Sequence, residues 1–461
     1  MTEQRVRRGR IQFVKQTPLF ENSVKFSASI EYPDQTDEIL RQALRVCQTG
    51  TPGPVYIEYP SHVILADLDV PEPLPPEGYR LVKPGADANM VAKAAETIKA
   101  AKSPILLVGH AVQCSRGSEQ VKALADLMQC PIIQTSGGTA FIKGLEDRTF
   151  PYGFSKMANE AVAKSDVCVA IGTEIGEPSH YGKWRHWAAN NATRKWIYIE
   201  LDPAAIGVNR PIDVPLVGDL RTVVPQLTAA LKVSPRKPSP NLARWIEEDK
   251  NRLKDLDESA PNLNGPMHTA RWVVEATKAF PENGIHVRDG GGTVIFTWTY
   301  LMCKPHDVIW NQNFGHLGTG LPYAIGASVA DGGKRPVLFT TSDSAFLFHI
   351  AELEVAARLN LPIVTVVGVY KRTFGHGNTN EPGVHWSKAV RFDKIAEGLG
   401  CVGKYVEKAS ELGPAIKEAF ASGKPTVIHV PIDPVANHGG NENKDTPNYD
   451  EFRTWYAEGQ Q

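Results

Sequence analysis

The chain has 461 residues, a formal net charge of −1 and a pI of about 6.9. This length exceeds what a single hydrophobic core usually serves, so we expect two or three domains. The balanced charge gives no electrostatic reason to expect nucleic acid or an anionic membrane as a partner. No apolar run approaches the ~20 residues of a membrane-spanning helix.

The cysteines and the N-terminus predict a cytoplasmic protein. The six cysteines lie apart without any C-x-x-C pair, which favours free thiols in a reducing compartment over disulfides or a metal site. The basic stretch MTEQRVRRGR is not followed by the apolar segment of a secretory signal.

The first predicted block, residues 1–66, ends in GPVYIEYP (53–60), an apolar run that predicts a buried strand. Residues 67–88 are rich in proline and charge and predict a linker. The second block, residues 89–232, alternates helical patterns such as NMVAKAAETIKAA with apolar strands such as PILLVG and DVCVAIG. This alternation predicts an α/β fold with parallel sheets and helices on both faces.

A second linker is predicted over residues 233–267 because its first part, KVSPRKPSPNL, is rich in proline. The third α/β block, residues 268–435, carries the predicted strands GIHVRD, PVLFTTSD, PIVTVVGV and PTVIHVPID. Residues 436–461 are polar and form a predicted surface tail.

Three turns of the third block are typical of anion-binding sites. RDGGGT (288–293) follows a predicted strand, and its glycines let backbone N–H groups approach an anion. NFGHLGTGLPYAIGASVA (313–330) is a glycine-rich loop that enters a helix, whose N-terminus favours phosphate. Asp343 ends the next strand. Because parallel strands bring their carboxyl ends to one edge, we expect a single ligand there.

Asp343 has two interpretations at this stage. A carboxylate among phosphate-binding turns suits Mg²⁺, which takes one or two carboxylates together with phosphate oxygens. An ordinary helix N-cap explains the local sequence equally well.

Four segments resemble the acetolactate synthase-like family of thiamine diphosphate enzymes, which includes oxalyl-CoA decarboxylase and 2-hydroxyacyl-CoA lyase. GHLGTGLPYAIGA (315–327) is similar to the family's GTMGxGLPxAIGA, and SDSAFLFHIAELEVAARLNLPI (342–363) to GDSAFxFxxxELETxxRxNLPI. ELDPAAIGVNRPIDVPLVGDL (200–220) resembles a central-domain segment, and TGTPGPVYIEYP (49–60) the last strand of a pyrimidine-binding domain. The resemblance covers essentially the whole chain.

The resemblance implies a thiamine diphosphate-binding fold with an incomplete N-terminal domain. Residues 268–435 would be the diphosphate-binding domain, residues 89–232 a central domain that binds FAD, ADP or nothing, and residues 1–66 the C-terminal half of a pyrimidine-binding domain. Asp343 would be the Mg²⁺ ligand. The residues placed around the cofactor are Gly291, Gly292, Thr293, His316, Leu317, Gly318, Asp343, Ser344 and Ala345.

Leu317 stands where relatives place a bulky apolar residue that bends the cofactor. Plain core packing is the alternative for this side chain.

One departure from the family concerns the metal. The family motif has an asparagine about 27 residues after the aspartate, and Tyr370 occupies that position here. Water or a backbone carbonyl would have to replace the lost ligand. Alternatively, Lys371 or Arg372 neutralises the diphosphate directly, although solvated surface charge explains both residues as well.

A second departure concerns the N-terminal domain. Only 48 residues precede TGTPGPVYIEYP, fewer than a whole pyrimidine-binding domain needs. The family's activating glutamate, a general acid–base group acting on the cofactor, has no counterpart at a matching position. The glutamates of this segment are Glu3, Glu21, Glu31, Glu38 and Glu58, each interpreted as a surface acid.

These departures predict a split enzyme. A small second subunit would supply the missing half-domain and its glutamate, giving a hetero-oligomer with two copies of each chain. The chain would be the large subunit of a thiamine diphosphate-dependent lyase or carboligase acting on a 2-keto acid, a 2-hydroxyacyl thioester or a hydroxyketone. The alternative is a non-catalytic relative with a regulatory or binding role.

Two further points bear on function. A Rossmann oxidoreductase is disfavoured, because VGHAVQCSRG (108–117) breaks the G-x-G-x-x-G pattern and no other block contains it. The substrate is not readable from the loop GHGNTNEPGVHW (375–386), where His376 and His385 are either proton-transfer groups or exposed loop histidines.

Overall fold

The chain forms three separate parallel sheets. A computed structural model describes residues 14–69, 72, 74–80, 83–138, 140–231, 235–260, 266–311, 314–370, 386–387 and 390–432. The sheets contain two, six and six strands, and every pair of neighbouring strands is parallel. The predicted α/β class with parallel sheets is confirmed.

The first sheet is a single βαβ unit. Its elements are α1 (Thr17–Phe20), β1 (Phe26–Ser29), α2 (Thr36–Val46), β2 (Val55–Glu58) and α3 (Ser61–Ile64). Phe20 stacks on Tyr56 with 4.6 Å between ring centroids, which places α1 against one face of the sheet. The strand predicted in GPVYIEYP is present, but the prediction that it is buried is wrong. All four residues of β2 are half-exposed, because two strands and short helices leave much of the sheet uncovered.

The central sheet has the strand order β5-β4-β3-β6-β7-β8. The first strand in the chain, β3, lies in the middle of the sheet. β4 and β5 follow on one side of it, and β6, β7 and β8 on the other. Its elements are α4 (Ala88–Ala100), β3 (Pro104–Val108), α5 (Ala111–Cys114), α6 (Ser118–Met128), β4 (Ile132–Gln134), β5 (Thr149–Pro151), α7 (Lys156–Lys164), β6 (Val167–Ile171), β7 (Lys195–Glu200), β8 (Val214–Val217) and α8 (Leu220–Leu231). Two separate apolar cores cover its two faces.

The segment predicted as the second linker contains an 18-residue helix, α9 (Leu242–Ser259). Leu242 and Trp245 pack into a core of the central sheet, whereas Leu256 packs into a core of the third sheet. These apolar residues recur at helical spacing, which the preceding run of prolines obscured in the sequence. The helix therefore braces the two larger domains against each other.

The third sheet has the strand order β10-β9-β11-β12-β14-β13, and a separate core covers each face. Its elements are α10 (Thr269–Lys278), β9 (Ile285–Arg288), α11 (Gly291–Tyr300), β10 (Val308–Ile309), α12 (Gly320–Ala330), β11 (Val337–Ser342), α13 (Asp343–Leu347), α14 (Leu353–Arg358), β12 (Ile363–Val369), α15 (Phe392–Gly398), β13 (Val402–Tyr405), α16 (Ala409–Ser422) and β14 (Thr426–Pro431). The three neighbouring strands β9, β11 and β12 end at the same edge, where the predicted turns lie.

The central domain caps the outer strand of the third sheet. The Gln113 side chain donates to the Val308 carbonyl at 2.9 Å and accepts from the Val308 N–H at 3.4 Å. Phe141 N–H donates to the Pro305 carbonyl at 2.8 Å. These bonds satisfy backbone groups that an open sheet edge would expose. Among the helices that the structure describes, none is long and apolar enough to span a membrane.

Candidate functional site

Asp289 follows β9, and its carboxylate joins two loops of the site. One oxygen, Oδ1, accepts from the N–H of Gly290 at 2.7 Å. The other, Oδ2, accepts from the N–H groups of Gly318 at 2.9 Å and Gly320 at 2.8 Å. Burial raises the pKa of this carboxyl, while the three N–H donors act in the opposite direction. One buried side chain thus connects the RDGGGT loop to the start of α12.

At two positions in these loops the backbone lies so close to neighbouring residues that glycine is required. Gly290 has φ +99°, and a Cβ there would lie 2.7 Å from the Ser342 hydroxyl oxygen. Gly318 has φ +94°, and a Cβ there would lie 2.4 Å from the Cβ of Phe348. Both positions combine a left-handed backbone with no space for a side chain, so only glycine fits.

Gly291 and Gly292 are different, because they face open space. A Cβ added to either residue would meet no atom within 4 Å, and both residues are exposed. They are the first two residues of the ten-residue helix α11. The first N–H groups of a helix have no acceptor within the helix, and the helix dipole favours negative charge beside them. This combination fits a diphosphate group.

Asp343 is the first residue of α13, and its carboxylate is almost fully buried at 2% exposure. Oδ1 accepts from the Ser344 N–H at 2.8 Å, and Oδ2 accepts from the Tyr370 N–H at 2.9 Å. Asp343 is therefore not the N-cap of α13. The N-cap is the preceding residue, Ser342, whose side chain makes no capping bond. Asp343 instead connects the end of β11 to the end of β12.

Tyr370 occupies the position where the resemblance predicts an asparagine. Its backbone N–H is used by Asp343, and its phenol oxygen lies 3.2 Å from the Thr269 hydroxyl and 3.3 Å from the Thr293 hydroxyl. Burial raises the pKa of Tyr370 to about 12, so the phenol is neutral. The side chain therefore links α10 to the first turn of α11 and offers no amide oxygen to a metal.

The described residues do not fit a magnesium site held by several protein ligands. Within the ranges that the structure describes, no three His, Cys, Asp or Glu side chains come together as a metal site would require. Both carboxylate oxygens of Asp343 already accept backbone N–H bonds. Four residues named in the sequence analysis, Lys371, Arg372, His376 and His385, lie outside the described residues. The diphosphate part of the predicted ligand fits this edge. Of the predicted metal ligands, the described residues provide Asp343 alone, and magnesium stays a prediction.

The remaining predicted site residues lie around the same edge. His316 is exposed, with its ring 6.4 Å from that of Phe348, and Leu317 is half-buried rather than part of the core. Ser344 is half-buried, and Ala345 is buried. The His349 ring nitrogen Nδ1 lies 2.8 Å from the Gly318 carbonyl and holds that loop from the other side.

The central domain has a small cavity at the carboxyl end of β3. Its lining includes Val112, Gln113, Ser118 and Phe141, and none of the described lining residues is charged. No charged side chain of the described lining would pair with the phosphates of a nucleotide, and the one helix that begins there is α6, at Ser118. The expectation of ADP or FAD in this domain stays a prediction.

Sequence reasoning missed two residues that organise the site. From the sequence, Asp289 is seen only as part of the RDGGGT loop, and Tyr370 only as the residue at the position of the expected asparagine. An acid directly between a strand and three glycines is the signal that points to Asp289. No local signal identifies the partners of Tyr370, because Thr269 is 101 residues away in the chain.

Comparison with known proteins identifies the family. Residues 91–227 match the model "Thiamine pyrophosphate enzyme, central domain", and residues 289–430 match "Thiamine pyrophosphate enzyme, C-terminal TPP binding domain". A probable acetolactate synthase large subunit from Methanococcus aeolicus is 30% identical over 446 residues, covering 90% of this chain and 73% of that relative. The chain belongs to the thiamine pyrophosphate enzyme family. The resemblance stated from the sequence is confirmed.

Other thiamine pyrophosphate enzymes match over similar lengths. Oxalyl-CoA decarboxylase from Escherichia coli K12 is 28% identical over 440 residues, covering 89% of this chain and 74% of that protein. 2-hydroxyacyl-CoA lyase from Arabidopsis thaliana is 26% identical over 434 residues, covering 88% and 73%. An X-ray structure of a candidate thiamin diphosphate-dependent enzyme from Mycobacterium smegmatis shares the fold, with a TM-score of 0.71, 23% identity and coverage of 91% and 78%.

We predict that Asp289→Ala lowers the free energy of unfolding by about 3 kcal/mol or more, because it leaves three buried N–H donors without an acceptor at ~1–3 kcal/mol each. Asp289→Asn should fall between the alanine variant and wild type, since its amide oxygen still accepts from two donors. Urea unfolding followed by tryptophan fluorescence measures both changes. Asp37→Ala, which removes a surface ion pair with Arg41, is the control and should change stability by less than about 0.5 kcal/mol. An Asp289→Ala variant as stable as the control would contradict this role.

Proposed function

We propose that this chain is the large subunit of a two-chain thiamine diphosphate-dependent lyase or carboligase. The observation that carries the proposal is the edge formed by Asp289, which holds the open glycines Gly291 and Gly292 beside the loop of Gly318. The reaction class is the making or breaking of a carbon–carbon bond next to a carbonyl. The proposed substrates are a 2-keto acid, a 2-hydroxyacyl thioester or a hydroxyketone.

The residues of this chain bind and orient the cofactor in this proposal. The N–H groups at the start of α11 hold the diphosphate, and the half-buried Leu317 supports the rest of the molecule. Thiamine diphosphate supplies the carbanion chemistry when it is bound. Asp343 and Tyr370 keep the neighbouring turns in place. Asp343 would be the residue of this chain that holds Mg²⁺ against the diphosphate, and no step is assigned to the metal.

The activating glutamate comes from the partner in this proposal. Glu58, the glutamate closest to the first sheet's strand end, accepts from the Thr17 N–H at 3.0 Å and the Tyr56 hydroxyl at 3.3 Å. These bonds give it a structural role in holding α1 on the sheet. A general acid–base group for the cofactor needs a different origin.

The surface of the first sheet supports a partner subunit. Ten of the twenty large apolar side chains that are exposed in the described chain lie between residues 14 and 68, which marks this block as an interaction surface. The sheet has two strands and therefore two open edges. Leu40 and Leu44 lie one turn apart on α2 and are 43% and 39% exposed. We propose that a small α/β polypeptide adds parallel strands and a helix here, with two copies of each chain.

A second candidate function is a non-catalytic relative that kept the fold. Tyr370 in place of a metal-binding amide favours it, because a site that lacks this metal ligand would hold a diphosphate poorly. Diphosphate binding separates the two candidates.

For the function, we predict that the chain alone binds pyrophosphate and thiamine diphosphate weakly and with affinities within about tenfold, or ~1.4 kcal/mol, of each other, because it contacts only the diphosphate. Thiamine itself should not bind. Calorimetric titration with Mg²⁺ in the buffer measures all three. Gly292→Asp should abolish binding by placing a carboxylate in the open space, while Gly326→Asp, equally open on α12, should keep it.

Two outcomes would overturn parts of this account. No binding of either diphosphate would favour the non-catalytic relative. Thiamine diphosphate binding far more tightly than pyrophosphate would show that this chain holds the whole cofactor without a partner.

For the partner, we predict that co-expression with the small α/β protein of the neighbouring gene gives a soluble complex of two copies of each chain. Leu44→Glu should prevent co-purification, because it places a charge in the apolar surface of α2. Val208→Glu, at a 70% exposed position of the central domain, should leave the complex intact. Size-exclusion chromatography with light scattering decides the stoichiometry. A well-behaved dimer of the chain alone, in which hydrogen exchange shows α2 protected, would argue that the surface pairs with itself.

A further inference from the structure

Arg288, the last residue of β9, has its guanidinium inside the third domain and is 1% exposed. Residues alternate between the two faces of a strand. Ile285 and Val287 belong to the core on one face, whereas His286 and Arg288 point to the other face, beneath α10 and α11. Consistent with this, the His286 ring lies 5.7 Å from that of Phe280, which packs against the core of that second face. The Arg288 side chain is therefore separate from the carboxylate of Asp289.

The only partner of this guanidinium in the described chain is a neutral histidine. Arg288 Nε–H donates to His286 Nδ1 at 3.3 Å, so His286 carries its proton on Nε2, which lies 3.0 Å from the Thr340 hydroxyl. Burial lowers the pKa of His286 well below its usual value, and the adjacent guanidinium acts in the same direction. The histidine supplies a lone pair and no negative charge.

The two terminal nitrogens, Nη1 and Nη2, have no hydrogen-bond acceptor among the residues that the structure describes. Cys303 is the one neighbour whose negative charge would act on the Arg288 guanidinium, but burial raises the pKa of the Cys303 thiol to about 12, so it is neutral. An unpaired buried charge is strongly destabilising, and buried charged groups are normally paired.

Arg194 shows how the same fold satisfies a buried arginine. It is 3% exposed, and its guanidinium donates to the carbonyls of Val162, Ser165 and Trp187. All of its nitrogens are used. Arg271, which is also buried, leaves only Nε without an acceptor and pairs both of its terminal nitrogens, so two unsatisfied terminal nitrogens are specific to Arg288 among the buried arginines that the structure describes.

We infer that Arg288 anchors a binding site for a small inorganic anion, which accepts from Nη1 and Nη2 and compensates the guanidinium charge. Two parallel N–H donors on one planar group suit such an anion. The anion would enter from the loop after α11, where Cys303 is half-exposed. Since the site lies beneath α11, the anion would stabilise the helix whose first turn forms the Gly291–Gly292 loop. This inference is independent of the proposed function.

Bromide is the probe for this site. We expect crystals of the wild-type chain grown in sodium bromide to show an anomalous peak about 3.3 Å from Nη1 and Nη2. In solution, the bromide concentration is raised tenfold within the range well above its dissociation constant, and sodium gluconate keeps the ionic strength constant. The folding equilibrium constant should then rise about tenfold. Arg288→Met should lose this dependence. Arg335→Met, which removes a surface arginine paired with Asp307 and Asp331, should retain it.

The two measurements make the inference decidable even if Arg288→Met does not fold, because diffraction needs only the wild type. No anomalous peak at Arg288 would overturn the inference. Bromide-dependent stability that is equal in wild type and Arg288→Met would overturn it as well.

Discussion

The candidate site depends on one buried carboxylate that accepts three backbone N–H bonds. Asp289 receives them from Gly290, Gly318 and Gly320, which lie on two loops about 30 residues apart in the chain. These hydrogen bonds hold the two glycine-rich loops close to each other. They also fix the start of α11, so that its exposed glycines lie at one edge of the sheet. Anion binding then follows from helix N-termini rather than from cationic side chains.

The second level of organisation joins the neighbouring strand ends. Asp343 connects β11 to β12 through the N–H of Tyr370, and the Tyr370 phenol reaches Thr269 and Thr293. Where the resemblance predicts an asparagine that binds metal, this chain has Tyr370, whose side chain fills the space between α10 and α11 and links them. The family relationship accounts for the fold and the diphosphate edge. The exposed apolar surface of the first sheet supports the proposed partner, and Tyr370 stands where the resemblance predicts a metal-binding asparagine.

The alternation of helical and apolar segments was sufficient to predict the parallel-sheet α/β fold, because both faces of such sheets are buried. The strands β5, β8, β10 and β13 were not predicted. β5 and β8 each contain a proline, β13 contains a glycine and a lysine, and β10 has only two residues. Helix α9 was missed because prolines precede it. The predicted glycines and Asp343 do lie at one edge. The roles of Asp289 and Tyr370 were not predictable, since their partners are set by tertiary contacts rather than by neighbouring residues.

The central claim is that the diphosphate edge is formed in the chain before any ligand binds. Hydrogen exchange of the amides of Gly290, Gly318 and Gly320 tests it most directly, because glycine amides in loops exchange quickly unless they are hydrogen-bonded. The account predicts that these three amides exchange as slowly as those of β9 and β11 in the ligand-free chain. Exchange at the rate of an open loop, with protection appearing only when pyrophosphate is added, would contradict it.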